Sequence, residues 1–208
     1  MDKNKLIFIL GLIIFIFFGI YSYYSNVKDY INDSIFFSVI LILLFFIRKK
    51  INLTPISFSL LILALLSHLS GVFGFYNNSP ILIQYDHFTH FIGLFATSIL
   101  IYNLMEKYFT KNKYSNFFII LIIFFTSLGI GSLIEQVEYI GYLKFGTGAG
   151  LFKFGGLGDT IINEENLRDI DIIGGGWINT MLDLNYNFIG SLAGIIFIYL
   201  INKFKQRK

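Results

Sequence analysis

The sequence predicts an all-α, polytopic integral membrane protein of about six transmembrane helices, with a long glycine-rich extracytoplasmic loop before the last helix. Three observations carry this expectation. Hydrophobic residues make up 55% and charged residues only 14% of the 208 positions, with a mean hydropathy of +0.70, whereas soluble domains run near about 45–50% apolar and about 25% charged. The apolar residues gather into six runs close to the ~20 residues that cross about 30 Å of hydrocarbon at about 1.5 Å per residue. Basic residues fall between those runs in an alternating pattern, the usual signature of membrane topology.

The first run, 6–24, follows Lys3 and Lys5 and resembles a signal peptide, but no small-x-small cleavage site follows it, so an uncleaved anchor is expected. The second, 32–47, closes on Arg48, Lys49 and Lys50. The third, 54–75, opens on Thr54-Pro55, a favourable helix start because proline at the first turn loses no hydrogen bond. The remaining runs are 86–104, 116–139 and 183–201, and together with the first three they form one transmembrane domain over 1–208. The connection 141–182 holds ten glycines, among them Gly146, Gly148, Gly150, Gly155, Gly156, Gly158 and the run Gly174 to Gly176, and an acidic stretch through Asp159, Glu164, Glu165, Asp169 and Asp171. Its length and composition suggest a lid over the bundle mouth. No Gly-Lys-Ser/Thr follows the glycines, which speaks against a nucleotide-phosphate loop.

Twelve of the sixteen Lys and Arg residues lie at the termini and in the second and fourth connections. Both termini are therefore expected in the cytoplasm, in a multi-pass protein of the cell membrane. The net charge of +3 sits at helix ends, which makes the lipid bilayer the expected partner and leaves no case for nucleic acid. With no cysteine, disulfides, thiolate catalysis and thiolate metal sites are excluded. The same topology gathers His68, Asp86, His87, His90, Glu135, Glu138 and Asp183 toward the outer ends of their helices.

Helical spacing sets these residues into stripes. Asp86, His90, Gly93 and Thr97 share one face, as do Asp183, Asn187, Gly190 and Gly194; Ser127, Gly131, Glu135 and Glu138; and His68, Gly71 and Gly74. Small residues on such stripes permit close helix approach, so the four are expected to line one outward-opening cavity. Plainer readings stand beside this one. Asp86 and Asp183 stand where caps belong, His87 is placed for the head-group level, and a lone buried His68 is more often a hydrogen-bonded core residue than a ligand. Glu135 and Glu138, one turn apart, repel and need a cation, a shared proton or a basic partner. His90, Asp86 and Glu135, with Asp183 beside them, offer a mixed oxygen and imidazole set that suits a divalent Zn, Mn or Fe ion; a proton-carrying acid and histidine network competes with it.

The segments Tyr85-Asp86-His87-Phe88 with His90 and Phe91, Glu135-Gln136 with Glu138, and Asp183 with Asn187, Gly190 and Gly194 are similar in order and spacing to VanZ-like membrane proteins. The chain most resembles the YjdF-type inner-membrane family, whose Gly-x-Gly-Asp element is matched by Gly156, Gly158 and Asp159 ahead of the last span. That pattern favours Asp where Asn179 stands. The resemblance covers about 83–194, adds Asp159 to the candidate site, and implies a link to glycopeptide tolerance and so to cell-envelope precursors. The leading expectation is a site that binds or hydrolytically modifies a lipid-linked or envelope head group. Its catalytic residues are His90, Glu135, Asp86 and Asp183, and its binding residues His87, Glu138, Asn187, Asp159 and His68. A proton-coupled small-molecule transporter and a structural or accessory membrane subunit are the alternatives, and whether the protein is an enzyme stays open.

Overall fold

Each apolar run folds as a helix: α1 (Lys3–Tyr24), α2 (Asp29–Ile47), α3 (Pro55–Leu69), α4 (Tyr85–Met105), α5 (Lys113–Phe145) and α6 (Asp169–Lys205). The computed structural model describes residues 2–109, 113–145 and 169–205, and no strand occurs among them. Every helix contributes a segment long and apolar enough to cross a membrane: Lys3–Tyr24, Asp29–Ile47, Pro55–Phe73, Tyr85–Tyr108, Ser115–Gly141 and Thr180–Lys203. These lie within a few residues of the expected spans. Hydrophobic run length decides this outcome, because in lipid only a helix satisfies its own backbone groups.

Local sequence explains several boundaries. At the start of α3 the Ser57 N–H donates to Thr54 Oγ1 at 3.2 Å and the Thr54 N–H donates to Ser57 Oγ at 3.1 Å, a reciprocal cap ahead of Pro55 at the first turn. α3 tightens into a 3₁₀ turn over Ser70–Phe73 and ends at Gly74, whose φ of 82° is open to glycine. The connection expected over 141–182 is shorter than the sequence suggests, since α5 continues to Phe145 and α6 already begins at Asp169. The Gly174 to Gly176 run lies inside α6. A glycine costs a helix roughly 1 kcal/mol against alanine, a weak preference that flanking helical turns override. The expected lid, with Asp159, Glu164 and Glu165, falls outside the described residues.

The helices pack as two halves. In one, Phe15 of α1, Tyr30, Phe37 and Leu41 of α2 and Phe58, Ile62 and Leu69 of α3 form a buried cluster. In the other, Ile99, Ile101 and Tyr102 of α4, Ile119 and Ile123 of α5 and Ile195 and Ile198 of α6 form a second. The α3–α4 contact joins them, and among the described residues α4 packs most extensively against α6. That approach depends on two glycines of α6: a Cβ on Gly190 would strike the Phe91 carbonyl, and one on Gly194 the Phe95 carbonyl and Ser98. Gly93 of α4, expected on the same seam, faces open space. Leu10, Ile13, Phe46, Phe118 and Phe125 stay exposed on the outer faces, as lipid contact requires.

A buried histidine among carboxylates at one end of the bundle

α4 and the membrane-crossing segment of α6 (Thr180–Lys203) begin, and that of α5 (Ser115–Gly141) ends, at the same end of the second half, and this brings residues almost a hundred positions apart into one cluster. His90, on the second turn of α4, is its centre. Its Nε2 lies 3.6 Å from Asp86 Oδ1 and 3.9 Å from Asp183 Oδ1; its Nδ1 lies 3.4 Å from Glu135 Oε1 and 3.2 Å from Asn187 Oδ1. His87 Nε2 lies 3.8 Å from the same Asp183 oxygen, and the His87 ring stacks on Tyr186 with centroids 4.6 Å apart. Glu138 joins from α5, its carboxylate within 4.8 Å of ligand atoms of His90 and Glu135. Asp183 is 1%, Asn187 0%, Glu135 6%, His87 6% and His90 7% exposed, so the cluster is withdrawn from solvent.

Asp86 is the acidic residue of the first turn of α4, two positions after Gln84, so its carboxylate also stands at the free N–H end of the helix. Asp183 lies well inside α6, so capping does not account for it. Gly131 lets α5 approach: a Cβ there would stand 2.8 Å from Asn187 Nδ2. The third-span stripe goes elsewhere. His68 does not join His90 but forms a separate network in the first half, where its Nε2 meets Asp33 Oδ2 at 2.9 Å and its Nδ1 meets the Tyr76 hydroxyl at 2.9 Å. The Tyr76 hydroxyl also donates to Thr89 Oγ1 at 3.5 Å, and Thr89 donates to the Asp86 carbonyl at 2.7 Å, so this network reaches the wall of α4. Tyr85 ties the start of α4 to α3 by donating to the Ser67 carbonyl at 2.8 Å and pairing with Ser70.

The structure thus brings together Asp86, His87, His90, Glu135, Glu138, Asp183 and Asn187 of the expected site, and separates His68; Asp159 lies outside the described residues. Sequence reasoning missed Asp33, only 1% exposed. Its signal was present, since an acid inside an apolar run demands a partner, but the partner lies thirty-five residues away on another helix.

Chemically, two ligand triads meet at one imidazole. Asp86, His90 and Asp183 form one, and His90, Glu135 and Glu138 the other, each with a set of ligand atoms within 4.8 Å of one another. Four carboxylates against two imidazoles leave an excess of negative charge, which favours a cation or shared protons at this depth. Several buried polar atoms around it, His87 Nε2, Asn187 Nδ2, Ser127 Oγ and Ser191 Oγ, make no hydrogen bond within the protein.

The fold and the cluster define a class: a six-span helical membrane protein with a buried acid and histidine site at one end of its second three-helix half. The chain belongs to the family described as predicted membrane protein (DUF2238), which matches residues 4–204. No curated protein and no solved structure matches it.

Proposed function

We propose that the α4–α5–α6 cluster binds and hydrolytically modifies the head group of a lipid-linked or cell-envelope compound. The observation that carries this reading is His90, a buried imidazole with carboxylates on both ring nitrogens. Hydrolysis at a polar head group needs acid/base or metal-ligating groups held in fixed positions away from bulk water. Asp86, His90, Glu135 and Asp183 supply such groups from three helices. Their level suits the substrate. With the first residue of α4, Tyr85, set at the outer edge of the head groups, about 1.5 Å per residue puts His90 roughly 8 Å further in, near the boundary between head groups and acyl chains. The similarity of the Asp86-His87, Glu135-Gln136 and Asp183-Asn187 motifs to VanZ-like and YjdF-type proteins supports an envelope substrate. The distribution of Lys and Arg supports cytoplasmic termini and a site that opens outward. The test is release of the head group from lipid-linked substrates by the purified full-length protein in detergent. Activity lost in His90→Ala and Glu135→Gln would support the reading, and wild-type turnover in the double variant would end it.

A second reading, a proton-coupled small-molecule transporter, draws on one observation: the hydrogen-bonded series Asp33, His68, Tyr76 and Thr89 leads from α2 to the backbone of Asp86. It predicts uptake into proteoliposomes that requires a proton gradient and disappears in Asp33→Asn.

A further inference from the structure

We infer that Asp86, His90 and Asp183 are the protein ligands of a divalent first-row transition ion, with Glu135 and Asn187 behind His90 as positioning residues. The assignment concerns the same pocket as the head-group reading and rests on it. The two ring nitrogens of His90 point in diverging directions, so the six groups around it cannot all serve one ion. Asn187 Oδ1 is an acceptor at 3.2 Å from Nδ1, and Glu135 Oε1 stands at 3.4 Å on the same edge. Both favour a proton on Nδ1. The Nε2 lone pair then faces Asp86 Oδ1 at 3.6 Å and Asp183 Oδ1 at 3.9 Å.

Those separations decide between two pictures. A hydrogen bond from an imidazole to a carboxylate spans about 2.7–3.2 Å. Two ligands of one tetrahedral ion, each about 2.0–2.2 Å from it, stand about 3.3–3.6 Å apart. The Nε2 side is therefore too wide for direct hydrogen bonds and a few tenths of an ångström from the spacing of a coordination sphere. A lone pair and two anionic oxygens converging on one point repel, and either a shared proton or a cation relieves this; separations of 3.6 and 3.9 Å are wide for the proton and close to the spacing for the ion.

A second, independent observation points the same way. His87 Nε2, in a residue only 6% exposed, has no hydrogen-bond partner and is aimed at Asp183 Oδ1 from 3.8 Å. It stands ready for a water or a substrate oxygen bound beside that carboxylate. Three protein ligands with positions left for water and substrate are the arrangement of catalytic rather than structural ions. The carboxylate behind a ligating histidine fixes its tautomer and orientation, which is the place of Glu135. Imidazole with two carboxylates suits Zn²⁺, Mn²⁺ or Fe²⁺.

The test uses the full-length protein in detergent, loaded with Co²⁺ and followed by its d–d absorption, together with the metal content of the protein as purified. About one ion per chain is expected for the wild type. Binding should vanish in His90→Ala, Asp86→Asn and Asp183→Asn, provided each elutes as a single folded species. Glu135→Gln should keep a Co²⁺ spectrum of altered shape with affinity about 10–100-fold weaker, the usual effect of removing such a partner. Three results would overturn the assignment: no Co²⁺ binding by folded wild type, binding unchanged in Asp86→Asn and Asp183→Asn, or binding lost in Glu138→Gln alone, which would move the ion to the Nδ1 side. Head-group release without any bound ion and insensitive to chelator would remove the ion and leave the function. A bound ion without head-group release would do the reverse.

Discussion

The two halves of this protein each set a histidine near the same end, half-buried in the first and buried in the second, and they treat it differently. In the first half His68 bonds Asp33 and Tyr76 at 2.9 Å each, with the rings of Tyr30 and Phe37 beside it. In the second, His90 keeps its acids at 3.4 to 3.9 Å, and its neighbours His87 and Asn187 retain side-chain atoms without hydrogen bonds. A closed network with ordinary bond lengths holds α2, α3 and the connection to α4 in place. A wider one, rich in carboxylates, is the arrangement that the proposed ion would complete. On the proposed reading, what separates the two histidines is the spacing of their acids: hydrogen-bond distance at His68, and wider than that at His90.

That contrast can be broken by mutation, and the largest effect is expected in the first half. His68→Ala leaves the Asp33 carboxylate buried without its imidazole, at a cost of about 3–5 kcal/mol, measurable as a fall in the unfolding midpoint in detergent. Gly190→Ala drives a Cβ into the Phe91 carbonyl and should cost about 1–3 kcal/mol, whereas Gly93→Ala meets nothing within 4 Å and should be neutral or slightly stabilising by the same measurement. Asp183→Asn should carry the opposite sign to His68→Ala. It removes one of four neighbouring carboxylates, so the metal-free protein should gain about 0.5–2 kcal/mol by relief of like-charge repulsion. A loss comparable to that of His68→Ala would erase the distinction between the halves. Among the changes that remove a contact, Tyr76→Phe should be mildest, about 0.5–1.5 kcal/mol for one hydroxyl, with ion binding unchanged.

Much of this was legible in the sequence, for definite reasons. Span positions follow from run length, which needs no knowledge of neighbours. The Asp86 and His90 pair follows from i, i+4 spacing on one helix, and the Thr54-Pro55 start from its capping chemistry. Partnership between helices was not legible. The sequence placed His68 in the same cavity as His90 because both lie toward the same end of the bundle, but rotation of α3 turns His68 toward α2 and Asp33. The seam between α4 and α6 was expected from small residues on both helices, yet of the glycines expected there Gly190 and Gly194 line it and Gly93 does not, because the surface they meet is the α4 backbone at Phe91 and Phe95 with Ser98. The reach of α6 back to Asp169 was hidden by the Gly174 to Gly176 run, which reads as a loop when propensity is taken alone.

The central claim is that the His90 cluster is built for a cation and the His68 cluster is not. The most direct measurement is the unfolding midpoint of the full-length protein in detergent, with and without excess Mn²⁺ or Zn²⁺. At about 100 times its dissociation constant a ligand adds roughly 2.7 kcal/mol to stability. Such a gain is expected for the wild type and for Tyr76→Phe, and is expected to be absent in Asp183→Asn. No gain in the wild type, or an equal gain in Asp183→Asn, would contradict the claim.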